Sequence, residues 1–170
     1  MQATSVKLYA SGYAETRTYI SAALFVLGNI VLPQLFHLVP QGGMTWLPIY
    51  FFTLVGAYKY GWLVGVLTAM LSPTINAAFF GMPLPENLAP IMLKSLLLAL
   101  AAAYAAHRYS RVTITLLIAV VLSYQVVGTL GEWALKGDLY LAIQDFRIGI
   151  PGMLLQVFGG YAFIRLFLRK

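Results

Sequence analysis

The sequence predicts an all-α integral membrane protein, with six transmembrane helices in one bundle and both termini in the cytoplasm. Hydrophobic residues make up 61% of its 170 residues and charged residues only 9%, whereas soluble domains carry roughly 25% charged residues. A soluble fold of this length could not hide so much apolar surface, because small domains leave a large fraction of their surface exposed. The predicted solvent is therefore the lipid bilayer, and residues 1–170 are predicted to form a single transmembrane domain.

The basic residues predict which side of the membrane is cytoplasmic. The loops opposite that side contain only Lys136 and Arg147 among cations, and they contain four of the five acids. Loops rich in Lys and Arg are cytoplasmic in most membrane proteins. Eight of the eleven Lys and Arg residues lie in the loops predicted to be cytoplasmic: Lys7, Arg17, Lys59, Arg108, Arg111, Arg165, Arg169 and Lys170. Because they are spread along these loops and do not interleave with aromatics, nucleic acid is not a predicted partner.

The first three apolar stretches predict three helices. Residues 18–38 form span 1, which leaves the cytoplasm directly after Arg17. Residues 44–58 form span 2, which is short for a bilayer that needs about twenty helical residues. Span 2 also contains Pro48, so we expect a tilted or partly buried segment. Residues 60–80 form span 3, which follows a tight basic turn.

Three further stretches complete the predicted bundle. Span 4 covers residues 88–106 and ends at a basic turn, and span 5 covers residues 112–135. A polar outer loop containing Lys136 separates span 5 from span 6, which covers residues 146–168 and is followed by basic residues. The ends of the six spans are set by the change from apolar runs to charged, Gly or Pro residues.

Span 3 carries a stripe of small and polar residues on one helical face. Gly61, Gly65, Thr68, Ser72 and Asn76 follow one another at spacings of three or four residues, which places them on the same side of a helix. Small residues on such a face let a neighbouring helix approach closely. For the first four, helix packing is the preferred interpretation, whereas Asn76 is predicted either to pack or to contact a ligand.

Lys94 lies six residues into span 4, at a depth where an ionisable residue is costly and usually faces protein or a water-filled cavity. Its ammonium could snorkel to the headgroups, bind an anionic substrate group, or pair with an acid such as Glu132. Glu132 shares one face of span 5 with Gln125 and Gly128. Span 6 presents Gln156 among glycines in the same way, and an interhelical hydrogen bond would also explain these amides.

The polar residues concentrate in the outer halves of the spans. Gln34 and His37 lie near the outer end of span 1, and the inner halves hold little beyond Thr and Ser. This distribution predicts a pocket that opens outward and has an apolar floor, as small-molecule sites usually do. Aromatic residues near the outer interface are predicted to form its walls: Trp46, Trp133, Phe79 and Phe80.

Several enzyme classes are not predicted. The two histidines, His37 and His107, are predicted at opposite faces of the membrane, so they form neither a catalytic dyad nor a shared metal site. No span carries paired carboxylates, the chain has no Cys, and no Walker-type phosphate loop occurs. We therefore expect no enzymatic activity, no cofactor and no metal, and transport by this chain would take its energy from elsewhere.

Residues 47–65, LPIYFFTLVGAYKYGWLVG, combine an apolar helix, a tight turn with Lys and Gly, and a second helix that opens on small residues. This stretch resembles the second and third spans of the S components of energy-coupling-factor (ECF) vitamin transporters. The length and the six predicted spans agree with that resemblance. In that family, alanines four residues apart on span 1 often dock the coupling subunit, and span 1 here has no such pair.

The resemblance implies a high-affinity binding subunit for a vitamin or related micronutrient in a prokaryotic inner membrane. It further implies a separate transmembrane coupling subunit and two ATPase subunits as partners. The family's site lies on the outer side, in the loop after span 1, the loop between spans 3 and 4, and spans 4 to 6. By position, it corresponds here to Gln41, Asn76, Asn87, Lys94, Gln125, Trp133, Arg147 and Gln156. With Trp46 and Glu132 from the residue pattern, these are the predicted substrate-binding residues.

Two other functions fit the same residues. A structural or assembly subunit of a membrane complex would use the polar stripes as interhelical contacts and would bind no small ligand. A small autonomous channel or transporter would need polar residues in the inner halves of the spans, so it ranks last. For the leading function, the substrate is expected to be anionic or rich in amide groups.

Overall fold

A computed structural model describes residues 12–166, and these residues form an all-helical bundle, as predicted. The α-helices are α1 (Thr16–Phe36), α2 (Gly42–Trp46), α3 (Phe51–Tyr60), α4 (Trp62–Phe80), α5 (Pro85–Tyr109), α6 (Ile114–Lys136), α7 (Leu139–Ala142), α8 (Gln144–Ile148), α9 (Ile150–Leu154) and α10 (Gly160–Leu166). A 3-10 turn, Pro48–Tyr50, precedes α3, and a π-helical turn, Leu155–Gly159, joins α9 to α10.

Four of these helices, α1, α4, α5 and α6, are long and apolar enough to cross a membrane. They correspond to predicted spans 1, 3, 4 and 5 within a few residues. Together with the composition of the chain, they identify an integral membrane helical bundle. The cytoplasmic placement of the termini concerns residues outside the described part of the chain and stays a prediction.

The second predicted span is divided. Its residues form α2, the 3-10 turn and α3, with a break at Leu47, whose φ of 47° is left-handed. The break precedes Pro48, which has no N–H to continue a helical hydrogen-bond ladder. The helix that follows, α3, has eight buried residues out of ten and packs against α1, α4, α5 and α10. The prediction of a partly buried segment is confirmed.

The last predicted span is a series of short helical segments, from α8 through α9 and the π-helical turn to α10. Pro151, in the first turn of α9, contributes to the interruption because it lacks a donor. The longest apolar helical run in this region is Ile150–Leu166. Residues 167 and 168 of the predicted span lie outside the described residues.

Four residues of the stripe predicted on span 3 are buried along α4, whereas the fifth, Gly61, precedes α4 and is half-buried. Gly65, Thr68, Ser72 and Asn76 all face the bundle interior, where α4 packs against α1, α3 and α5. A Cβ at Gly65 would lie 2.5 Å from the Cβ of Ala57 and 3.2 Å from that of Ala99. Glycine is therefore required at residue 65 for α3, α4 and α5 to approach this closely.

Charge is separated between the two ends of the bundle. We call the end with Glu86, Glu132, Asp138 and Asp145 the acidic end and the opposite end, with Arg17, Lys59, Arg108 and Arg111, the basic end. The hydroxyl of Tyr58 near the end of α3 donates to the carbonyl of Arg111 at 2.6 Å, and the rings of Tyr13 and Trp62 meet at 5.7 Å. These contacts bring the start of α1, the start of α4 and the α5–α6 connection to the same end.

Candidate ligand-binding site

A cavity of about 680 Å³ opens at the acidic end of the bundle. It lies where the C-terminal ends of α1, α4 and α6 meet the N-terminal end of α5, the α2 region and α8. Its walls are largely apolar and include Leu47, Ile49, Tyr50, Met82 and Ile91. Five of the ten predicted site residues line it: Gln41, Asn76, Asn87, Lys94 and Glu132. The volume falls in the range of small-molecule sites, roughly 300–1,000 Å³.

An ion cluster lies against one wall of this cavity. The Nζ atom of Lys94 lies 2.6 Å from Oε2 of Glu132 and 2.8 Å from Oδ2 of Asp145. The Lys94 side chain is only 3% exposed, so it does not snorkel to the headgroups, and it pairs with Glu132 as one of the predicted alternatives stated. Asp145 was not a predicted site residue.

A second lysine completes the cluster. Nζ of Lys136 lies 3.1 Å from Oε1 of Glu132 and 2.5 Å from the side-chain oxygen of Asn87. Two lysines therefore face two carboxylates, Glu132 and Asp145, and these four lining residues carry no net charge. Lys94 is already matched by two acids, so an anionic ligand group would have to compete with both of them.

Gly128 makes room for the Lys94 side chain. A Cβ at residue 128 would lie 2.6 Å from Cγ of Lys94, closer than packed atoms approach. The aliphatic part of the lysine therefore crosses α6 at this glycine before its ammonium reaches Glu132, one turn further along α6. The sequence placed Gly128 and Glu132 on one face but could not show that the lysine of α5 fits between them.

Asn76 serves helix packing at the rim of the cavity. Its Nδ2 donates to the carbonyl of Asn29 at 3.0 Å and to that of Ser72 at 2.9 Å. Nε2 of Gln34 donates to its Oδ1 at 3.4 Å. Of the two roles predicted for Asn76, these bonds support packing, although its side chain also borders the cavity.

Asn29 was not a predicted site residue, yet it connects three helices. Asn29 is fully buried. Its Nδ2 donates to the hydroxyl oxygens of Thr53 at 3.0 Å and Ser72 at 3.3 Å. Its Oδ1 accepts from the backbone N–H of Phe52 at 3.1 Å, near the start of α3. The available signal was an amide near the middle of the apolar run of span 1, since an amide at that depth needs a partner.

A separate polar cluster, the amide cluster of Tyr124, Gln125 and Gln156, lies deeper in the bundle. The hydroxyl of Tyr124 donates to Oε1 of Gln156 at 2.9 Å and accepts from Nε2 of Gln125 at 3.1 Å. The three side chains are at most 1% exposed. The cavity lining does not include them, but the ring of Tyr50, which does line the cavity, packs on Tyr124 at 5.5 Å.

The amide cluster is incompletely hydrogen-bonded. Oε1 of Gln125 and Nε2 of Gln156 are buried without a partner. The hydroxyls of Ser95 on α5 and Thr129 on α6 are likewise unpartnered and buried. Unpaired polar atoms inside a membrane protein cost free energy, because no bulk water reaches them. The bundle interior next to the cavity therefore offers both a free acceptor and a free donor.

Three other predicted site residues lie away from the cavity. Trp46 stacks on Phe36 with ring centroids 5.5 Å apart, and Trp133 is 45% exposed. The guanidinium of Arg147 sits 3.9 Å from the ring centre of Tyr140, a cation–π contact. The aromatic walls expected of Phe79 and Phe80 are also absent, because both rings point outward. Apolar rings on the outer surface of a membrane bundle contact lipid, so the hydrophobic effect does not favour turning them inward.

Within residues 12–166, no group of three metal-ligating side chains occurs. Comparisons of the chain with protein-family models, curated proteins and solved structures found no match.

Proposed function

We propose that this chain is the substrate-binding membrane subunit of an ECF-type importer, and that it captures a vitamin or related micronutrient from outside the cell. The observation that carries the proposal is the cavity at the acidic end, with apolar walls and a few converging polar groups such as Asn87, Lys94 and Glu132. Sites of this build hold small ligands by apolar contact and fix their orientation by the polar groups.

The orientation of the bundle follows from its charges. Because basic ends of membrane proteins face the cytoplasm, the end with Arg17, Lys59, Arg108 and Arg111 faces inward. The acidic end, and with it the mouth of the cavity, faces outward. A binding subunit for uptake needs its site on this side, where the nutrient arrives.

The proposal includes six membrane spans, of which the second and the sixth are the irregular ones. The 3-10 turn and α3, residues 48–60, reach about 21 Å, since a 3-10 helix rises about 2.0 Å and an α-helix about 1.5 Å per residue. The apolar helical run Ile150–Leu166 reaches about 26 Å at helical rise, slightly less than the roughly 30 Å hydrocarbon core. The short second segment is buried among other helices, so its backbone is shielded from lipid even where it does not span the full core.

The energy for uptake comes from partner subunits in this proposal. The chain has no Walker-type phosphate loop, and the S components that it resembles work with a transmembrane coupling subunit and two ATPase subunits. The resemblance also places the protein in a prokaryotic inner membrane.

The test uses the full-length protein in lipid nanodiscs. Thermal stability is measured across a panel of vitamins, because a ligand that binds the folded state raises the melting temperature by mass action. We expect one vitamin class to bind in the nanomolar to low micromolar range, and Asn87→Leu to weaken it. Ser123→Ala, on the lipid-facing side of α6, is the matched control and should leave binding unchanged.

Isolation from native membranes tests the partners. We expect the tagged chain to co-purify with ATPase subunits. A chain that binds no compound of the panel and co-purifies with a complex lacking an ATPase would instead be the structural or assembly subunit considered above.

A further inference from the structure

We infer that the ligand of this protein carries no net charge and presents an amide edge, an N–H and a C=O side by side, to Gln125 and Gln156. The inference rests on the proposed function and names the chemical class of its substrate. The class comprises ring lactams, ureides and imides, together with primary carboxamides.

The first support is the complementarity of the two unpartnered atoms. Oε1 of Gln125 can only accept a hydrogen bond, and Nε2 of Gln156 can only donate one; both are buried without a partner. Both belong to amides that share the Tyr124 hydroxyl, so they are parts of one polar group. A ligand with one donor and one acceptor would satisfy both.

The second support is the geometry of amides. An open-chain secondary amide is trans, and its N–H and C=O point in opposite directions. A ring amide is held cis, and a primary carboxamide has an N–H on the same side as its C=O. Only such groups offer donor and acceptor along a single edge, which lets one ligand group serve two amides that share the Tyr124 hydroxyl.

The third support is the position of the amide cluster relative to the cavity. Gln125 lies seven residues before Glu132 on the buried face of α6, which is about 10 Å along a helix. Thr129, whose hydroxyl is also unpartnered, lies between them on that face. The Tyr50 ring lines the cavity and packs on Tyr124, so a displacement of Tyr50 would extend the cavity toward Tyr124 and leave that ring free to stack on a ligand ring.

The fourth support is the charge balance at the cavity wall. Lys94 and Lys136 are matched by Glu132 and Asp145. A net charge on the ligand would have to break one of these short ion pairs, whereas a neutral amide can pass them. Of the two ligand classes that the sequence predicted, anionic and amide-rich, the structure favours the second.

The experiment compares ligands that differ in one group. Nicotinamide, nicotinate and N,N-dimethylnicotinamide share a ring, but only the first is neutral and retains amide N–H; lumiflavin and its 3-methyl derivative form a second set. Thiamine and pantothenate represent cations and anions. With the full-length protein in nanodiscs, we expect a compound with the free amide edge to raise the melting temperature and its methylated or charged counterpart to fail.

Variants then locate the binding. Gln125→Leu and Gln156→Leu should each raise the Kd of that compound about tenfold or more, since each leaves one ligand polar group unpaired. Ser123→Ala should leave the Kd unchanged. Gln125→Leu should also change the melting temperature of the ligand-free protein little, because loss of the hydrogen bond to Tyr124 is offset by removal of a buried unpaired carbonyl; a purely structural glutamine would lower it.

Two results would overturn the inference in distinguishable ways. If thiamine or pantothenate binds with equal affinity to the wild type and to both glutamine variants, the amide cluster holds internal water only, and the proposed uptake function stands. If no compound of any class binds, the proposed function fails and the inference fails with it.

Discussion

Replacing Lys94 with methionine tests whether the ion cluster behaves as a buried unit. The substitution keeps most of the aliphatic volume that fits against Gly128 and removes only the ammonium. Two carboxylates then lose their shared partner, and their side chains are only 12% and 14% exposed. Breaking a buried ion pair by removing one member typically costs 3–5 kcal/mol. Glu132 retains Lys136, so we expect the lower limit, about 3 kcal/mol.

The assay is thermal unfolding of the full-length protein in detergent or nanodiscs. At roughly 2–4 °C per kcal/mol for a chain of this size, Lys94→Met should lower the melting temperature by roughly 6–12 °C. The triple variant Lys94→Met, Glu132→Gln and Asp145→Asn removes every charge of this triad. It should recover most of that loss, because it leaves no uncompensated buried carboxylate.

The control is Lys136→Met. The Lys136 side chain is 20% exposed, and its Nζ atom contacts only Oε1 of the Glu132 carboxylate. The substitution should cost no more than about 1 kcal/mol, as partly exposed pairs do. A loss below 1 kcal/mol for Lys94→Met, or a triple variant no more stable than the single one, would refute the assignment of a buried, mutually neutralised cluster.

Three further predictions concern packing, the amide cluster and topology. Gly65→Val should destabilise the bundle by about 2 kcal/mol or more in thermal unfolding, since its Cβ overlaps Ala57, whereas Ala78→Val on the exposed face of α4 should change stability by less than about 0.5 kcal/mol. Tyr124→Phe should cost about 1–3 kcal/mol in the same assay, because both glutamine amides lose their buried partner; an unchanged melting temperature would contradict those bonds. The chain has no Cys, so single cysteines report topology cleanly: a membrane-impermeant maleimide should label Glu86→Cys on intact cells and Arg111→Cys only after lysis, and the reverse would invert the proposed orientation.

The long helices were predictable because each requires only an uninterrupted apolar run between charged residues. The interruptions of the helices were harder to predict. Pro48 indicated an irregular second segment, but the left-handed conformation of Leu47 depends on how α2 packs against α1 and α9. The π-helical turn at Leu155–Gly159 likewise has no distinctive local signal, since it results from packing against α3 and α6.

Part of the site could also be inferred from the sequence. The pairing of Lys94 with Glu132 followed from depth and helical face, whereas Asp145 is 51 residues from Lys94 and reaches it only because α7 and α8 turn back over the cavity. Trp133 could have been excluded with the same helical geometry. It follows Glu132 by one residue, a rotation of about 100°, so a buried Glu132 places Trp133 toward the outside.

The fit of Lys94 against Gly128 has a consequence for how this sequence can vary. The two residues belong to different helices, yet a side chain at residue 128 would push the lysine stem away from both of its acids. The charge cluster can therefore be lost through a substitution that changes no charge at all. Among homologous chains, we expect a lysine at the position of residue 94 to occur together with glycine at that of residue 128, and larger residues at the second only where the first is no longer basic. This pairwise dependence would be visible as covariation in an alignment.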